Sequence, residues 1–277
     1  MKSNLKKIVI ILLIILAITA CNKDQKEKKN YIAFDHVERI ITQTIDYKEG
    51  NTALEGYLAY DPSVKGKRPA ILLAHAWKGL DDYAKRRTQQ LAKMGYIVFA
   101  LDIYGKGVHA KDHKEAAQLS GIYTNDRKLM RARVRAGLEV LSKHKLTDTS
   151  RIAAVGYCFG GAAVLELARS GADIKGTVTF HGNLTNPHPE DAKNIKGKVL
   201  VLHGAADTFV SPKVVASFRK EMDKAKVDWS MKSYKGAVHA FTVREAGTDT
   251  STGLAYNETA DKESWKEMTS FLKVLFK

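Results

Sequence analysis

The chain has 277 residues with 45 Lys and Arg against 30 Asp and Glu, a formal charge of +15 at pH 7, and 44% hydrophobic residues. That length accommodates one large α/β domain or two small ones. Its two cysteines have separate sequence contexts, which leaves no structural disulfide to propose and no second thiol for a thioredoxin-like redox role. The basic balance reads as a solvated surface with weak affinity for anionic lipid; nucleic acid is excluded as a partner because no nucleic-acid motif is present.

Lys2, Lys6 and Lys7 precede a continuous apolar run from Ile8 to Ala17, followed by Ile18-Thr19-Ala20-Cys21. A basic n-region, a short h-region and small residues before the cut describe a secretory signal over residues 1–20. The run is short for a spanning helix. With Cys21 directly after Ala20, the segment resembles a bacterial lipoprotein signal. That resemblance implies lipidation at Cys21 and anchoring to a bacterial membrane, on the periplasmic or cell-surface side. Removal of residues 1–20, which hold three Lys and no acid, lowers the charge from +15 to +12. Residues 21–30 are polar, charged and aperiodic and read as a flexible tether, with one domain following over 31–277.

Ile40–Asp46 and Ala53–Tyr60 flank Lys48-Glu49-Gly50-Asn51, the pattern of an antiparallel hairpin at a sheet edge. Strands are then expected at 69–75, 96–101, 152–155, 176–180, 198–203 and 228–234. Between them fall helices at 81–94, 125–143, 162–170, from Ser211-Pro212 onward, and 261–276. Asp81 or Asp82, Asn125 and Ser211 are the expected N-caps. Strands alternating with helices predict a mostly parallel central sheet with helices on both faces and the hairpin at its N-terminal edge.

One stretch organises the chain. Val155-Gly156-Tyr157-Cys158-Phe159-Gly160-Gly161 joins a short apolar strand to a helix, with Cys158 where the G-x-S-x-G nucleophile elbow has Ser. Side chains at 156 and 160 would collide with neighbouring backbone in so tight a turn. A thiol there lies at a helix N-terminus, which favours thiolate. Taken alone, the pattern equally describes a small buried cysteine beside a glycine turn. A base and an orienting acid belong at other strand ends. Asp207 follows strand 198–203, and His239 follows strand 228–234. The order Cys158, Asp207, His239 is the nucleophile–acid–base order of the α/β-hydrolase fold, with His239 as base and Asp207 orienting its ring.

Gly156-Tyr157-Cys158-Phe159-Gly160-Gly161, Leu202-His203-Gly204-Ala205-Ala206-Asp207 with Phe209-Val210, and Ala237-Val238-His239-Ala240-Phe241 together resemble the dienelactone hydrolase family. The resemblance covers residues 38–277 and extends to His75-Ala76-Trp77-Lys78-Gly79-Leu80 and Tyr256-Asn257. It implies a cysteine hydrolase of small esters or lactones that works through an acyl-enzyme and needs no metal or organic cofactor. It further implies an oxyanion hole built from the backbone N–H groups of Trp77 and Phe159. Two positions depart from the family pattern. Ala76 stands where a Glu helps to activate the thiol, and Val243 stands where an Arg holds the substrate carboxylate, although Arg244 is adjacent and Lys78 is another cation of this region. Dienelactone itself is therefore not implied as substrate, and a non-catalytic, lipid-anchored binding protein on the same fold is the competing expectation.

Weaker signals complete the reading. His109 and His113 are spaced for one helix face, but no Glu lies between them and no third ligand is evident. Residues 104–124 could cap the site, or form an ordinary surface excursion. Trp77, Tyr104, Phe209 and Phe241 are candidates to line an apolar pocket, with core packing an equal account of each. The sequence does not specify an oligomeric state.

Overall fold

The structure is a computed structural model and describes residues 40–277. The signal segment, Cys21, the tether and the expected start of the domain lie outside the described residues. Among the described residues, eight strands form one sheet in the order β1-β2-β4-β3-β5-β6-β7-β8. β1 (Ile41–Glu49) and β2 (Thr52–Tyr60) make the edge hairpin, and β2 is antiparallel to β4 (Ile97–Leu101) as well. All remaining pairings are parallel, through β3 (Arg68–Ala74), β5 (Thr147–Tyr157), β6 (Gly176–Phe180), β7 (Lys198–Gly204) and β8 (Trp229–Tyr234).

Among the described residues, six α-helices pack around the sheet: α1 (Asp82–Ala92), α2 (His113–Asn125), α3 (Arg127–Lys143), α4 (Phe159–Arg169), α5 (Pro212–Lys224) and α6 (Glu258–Leu275). Successive strand residues face opposite layers. Ile71 and Leu73 of β3 join Leu91 of α1 and Met268 and Leu272 of α6, whereas Ala70, Leu72 and Ala74 join Met130 and Val134 of α3 and Val164 of α4. Buried on both sides, the central strands read as continuous apolar runs rather than alternating ones.

Caps set most helix starts as expected. Asp81 accepts from the Ala84 N–H and Ser211 from the Val214 N–H, with Pro212 opening α5. Two boundaries differ from expectation. The α3 cap is Asp126, which accepts from the Leu129 N–H, because Asn125 is already the last residue of α2. The final helix starts at Glu258 rather than Asp261, because the Asn257 side chain accepts from the Ala260 N–H.

After β3 the chain moves to β4 on one side, and after β5 it moves to β6 on the other. The crevice beyond the carboxyl ends of β3 and β5 is thus the topological switch point, where open α/β sheets bind ligands. α4, which rises from that crevice, is tied down by charge. Buried Glu166 pairs with Arg131 of α3, and buried Arg169 pairs with Glu221 of α5.

Candidate active site

β5 delivers Cys158 to the switch point in a conformation that few side chains adopt, with φ 54° and ψ −117°. Two glycines permit it. A Cβ on Gly156 would lie 2.1 Å from the Gly160 carbonyl oxygen, and one on Gly160 would lie 2.2 Å from the Ala74 carbonyl oxygen. Both contacts are with backbone, so neither can yield. The Cys158 N–H is held by the Phe180 carbonyl at 3.0 Å, and Phe159 opens α4 with its N–H free of the helix ladder.

The structure brings the three chain-distant candidates together. His239 Nε2 lies 3.1 Å from Cys158 Sγ, and His239 Nδ1 lies 2.8 Å from Asp207 Oδ2. The other Asp207 oxygen accepts from the N–H groups of Phe209 and Val210, at 2.9 and 3.2 Å. A carboxylate can only accept here, so Nδ1 carries the proton and Nε2 faces the sulfur. The loop that carries His239 is fastened by Gly253 and Ala255, its N–H donating to one and its carbonyl accepting from the other.

Electrostatics at the sulfur favour an ion pair. Burial opposes the thiolate, but the charge and hydrogen bond of His239, with the backbone N–H groups of Phe159 and Trp77, outweigh it and hold the Cys158 thiol below its ordinary value. Burial likewise opposes an imidazolium at His239. The facing thiolate and the Asp207 hydrogen bond prevail and push it up to about 10. The two shifts are one interaction seen from both ends.

Two further groups fix the Trp77 loop. His75, fully buried, accepts the Ile103 N–H at Nε2, so its proton is on Nδ1, which donates to the Ala76 carbonyl at 2.7 Å. That carbonyl belongs to the peptide whose N–H is the Trp77 donor. The Tyr104 hydroxyl donates to the Trp77 carbonyl at 2.9 Å and secures the next peptide. Neither role carries a local sequence signal, because both arise from groups that meet only across strand ends.

The other candidates separate. Trp77 and Phe209 line the cavities beside the thiol, as do Ala76, Lys78 and Val243. Tyr104 and Phe241 do not. Tyr104 packs behind Phe159 and His75, and Phe241 is buried against Tyr234 and His181. Arg244 lies over the Tyr256 ring, beside a neighbouring depression. The two spaced histidines do not share a helix face, because α2 begins at His113 and leaves His109 in the preceding loop. Among the described residues, no cluster of three or more His, Cys, Asp or Glu could hold a metal. The 104–124 stretch forms a wall of the site, with Ser120 and Thr124 of α2 beside Cys158. Sequence reasoning missed His181, which is buried behind His239 with ring centroids 5.2 Å apart, and Leu254, which borders the thiol from a segment without periodicity.

Comparison with known proteins agrees with this architecture. A solved structure described as m3DLH is 36% identical with a TM-score of 0.83, and covers 86% of this chain and 99% of its own. A dienelactone hydrolase-like promiscuous phosphotriesterase from metagenomic libraries is also 36% identical, with a TM-score of 0.81 and the same coverage. A Bradyrhizobium protein named "Probable 2-oxo-3-(5-oxofuran-2-ylidene)propanoate lactonase" is 28% identical over 246 residues, spanning 84% of this chain and 96% of its own. The model of the dienelactone hydrolase family matches residues 54–276, and the chain belongs to that family.

Proposed function

We propose that this chain hydrolyses a carboxylic ester or lactone through a Cys158–His239–Asp207 triad and an acyl-enzyme. The observation that carries the reading is the unbroken line from Asp207 Oδ2 through the imidazole to Cys158 Sγ. The Cys158 thiolate adds to the acyl carbon, and the carbonyl oxygen takes the negative charge. The N–H groups of Trp77 and Phe159 receive that charge, a stabilisation of about 3–4 kcal/mol per well-placed donor. As the tetrahedral centre collapses, the C–O bond breaks and the departing alkoxide takes the proton from His239 Nε2. Water then attacks the thioester while Nε2 accepts its proton, and the acid leaves as the thiolate reforms. Ala76 brings no carboxylate of its own to the thiol, and among the described residues His239 supplies the activating charge.

The names of relatives are consistent with this chemistry, one being called a lactonase and another a promiscuous phosphotriesterase. The protein of residues 31–277, tested on 4-nitrophenyl esters and small lactones, is expected to turn over at least one substrate and to lose that turnover in Cys158→Ala. Equal turnover by the variant would contradict the reading. We further propose that the chain is exported and anchored by lipid on Cys21. Growth with labelled fatty acid should label the wild type and leave Cys21→Ala unlabelled; label in both would exclude that anchor.

A further inference from the structure

The Cys158 thiol sits where two cavities meet, bordered in common by Trp77, Phe209, His239 and Leu254. One has a volume of about 770 Å³ and the other about 170 Å³. They differ in what they present to a ligand. The large cavity carries both signs of charge, with Lys78 and Arg86 set against Asp81, Asp82 and Glu245. The small cavity has no charged side chain apart from the reacting pair; its polar groups are Ser120, Thr124 and Asn183. Part of that polarity is already satisfied, since the Ser120 hydroxyl donates to the Ala116 carbonyl and Asn183 Oδ1 accepts from the Thr185 N–H.

Bond-breaking assigns the two spaces. The leaving oxygen must take its proton from His239 Nε2, so the alcohol departs along the imidazole. His239 borders both cavities, but only the large one is also walled by Ala240 and Val243, which follow His239 in the chain, and by His181, packed against its ring, and the alcohol is assigned there. The acyl substituent remains on the other side, against Phe159 and Ala162 at the start of α4 and Thr124 of α2, where the small cavity lies.

We propose that the small cavity is the acyl site and the large one the alcohol site, so that the substrate is an open-chain ester of a short, uncharged acid with a bulky alcohol. The assignment rests on the hydrolase reading above. An apolar cavity of about 150 Å³ takes a benzene ring, so a space of about 170 Å³ accommodates an acyl chain of up to about six carbon atoms. A carboxylate on that chain would meet no cation beyond His239, which the reaction itself uses. A small lactone holds its acyl carbon and leaving oxygen in one ring and so does not use the two spaces separately.

Two substrate series test this: 4-nitrophenyl esters from acetate to dodecanoate, and acetate esters of alcohols from ethanol to octanol. For the wild type, kcat/KM should fall roughly tenfold or more per methylene once the acyl chain exceeds the cavity, and should hold or rise along the alcohol series. Thr124→Phe should lower the hexanoate-to-acetate ratio by about tenfold or more. Val243→Phe should instead lower the octyl-to-ethyl ratio. The reverse pairing, or two variants that act alike on both series, overturns the assignment and leaves the hydrolase reading standing. A wild type whose thiol is alkylated but which turns over no member of either series overturns both.

Discussion

His239 and His181 are buried imidazoles whose ring centroids lie 5.2 Å apart, and the protein drives them in opposite directions. Desolvation disfavours the charged form of each. At His239 it is overcome by the thiolate of Cys158 and the hydrogen bond of Asp207, and the ring is held protonated. At His181 burial goes unopposed by any carboxylate and is reinforced by the charges of His239 and Arg87, so the ring is held well below its ordinary value. Its Nε2 meets only the Thr242 hydroxyl, at 2.8 Å, and its Nδ1 has no hydrogen-bond partner among the described residues. The contrast teaches that partners, not burial, decide charge here. One acid and one thiol make an imidazole cationic, and without them its neighbour stays neutral and fills space.

The largest expected effect comes from removing what distinguishes His239. In Asp207→Asn, the side-chain oxygen can keep the Phe209 and Val210 N–H groups while the amide donates to Nδ1, which forces the imidazole proton onto Nε2 and against the sulfur. Steady-state kinetics should show kcat lower by a factor on the order of 10³–10⁴. A loss below tenfold would mean that Asp207 does not set the tautomer. Next is His75→Ala, which frees the Ala76–Trp77 peptide. Here kcat should drop roughly 10- to 100-fold with KM little changed, the pattern of an interaction made only in the transition state. A rise in KM at constant kcat would show that His75 shapes the pocket rather than the oxyanion hole. Smallest is His181→Leu. It removes one buried hydrogen bond worth about 1 kcal/mol, so thermal melting should shift down by about 2–4 °C. Because His181 is neutral, the pH–rate profile should keep its shape; a displaced limb would give His181 a charge the account denies it.

The same contrast governs what could be read from residues alone. The elbow was legible because its backbone demands glycine at 156 and 160, and because strand, Cys158 and helix are contiguous. Asp207 and His239 were legible because chain order and strand ends constrain where an acid and a base can go. The edge hairpin and the alternation of strands and helices followed from hydrophobic period. His75 and His181 were not legible in this way. Their roles depend on Ile103 and Thr242, residues 28 and 61 positions away, which no local pattern connects. The pocket walls were left open between lining and core for a related reason. Tyr104 and Phe241 flank the site in sequence, yet packing turns them behind it, while Leu254 lines both cavities from a segment with no motif. The Asn125 cap failed locally, since Asp126 offers an equally good acceptor one residue later.

The central claim is that Cys158 is a thiolate because His239 is a cation, and the rate of Cys158 alkylation by iodoacetamide against pH tests it most directly. The folded thiol is held below its ordinary value and the imidazole is raised to about 10. The wild-type rate should therefore rise at a pH below the unperturbed thiol value of about 8.5 and stay level through neutrality. Hydrolysis, which also needs the Nε2 proton, should fall as pH passes about 10. In His239→Ala the alkylation midpoint should move up to or beyond about 8.5. Identical profiles for the wild type and the variant, both centred near the unperturbed value, would contradict the account.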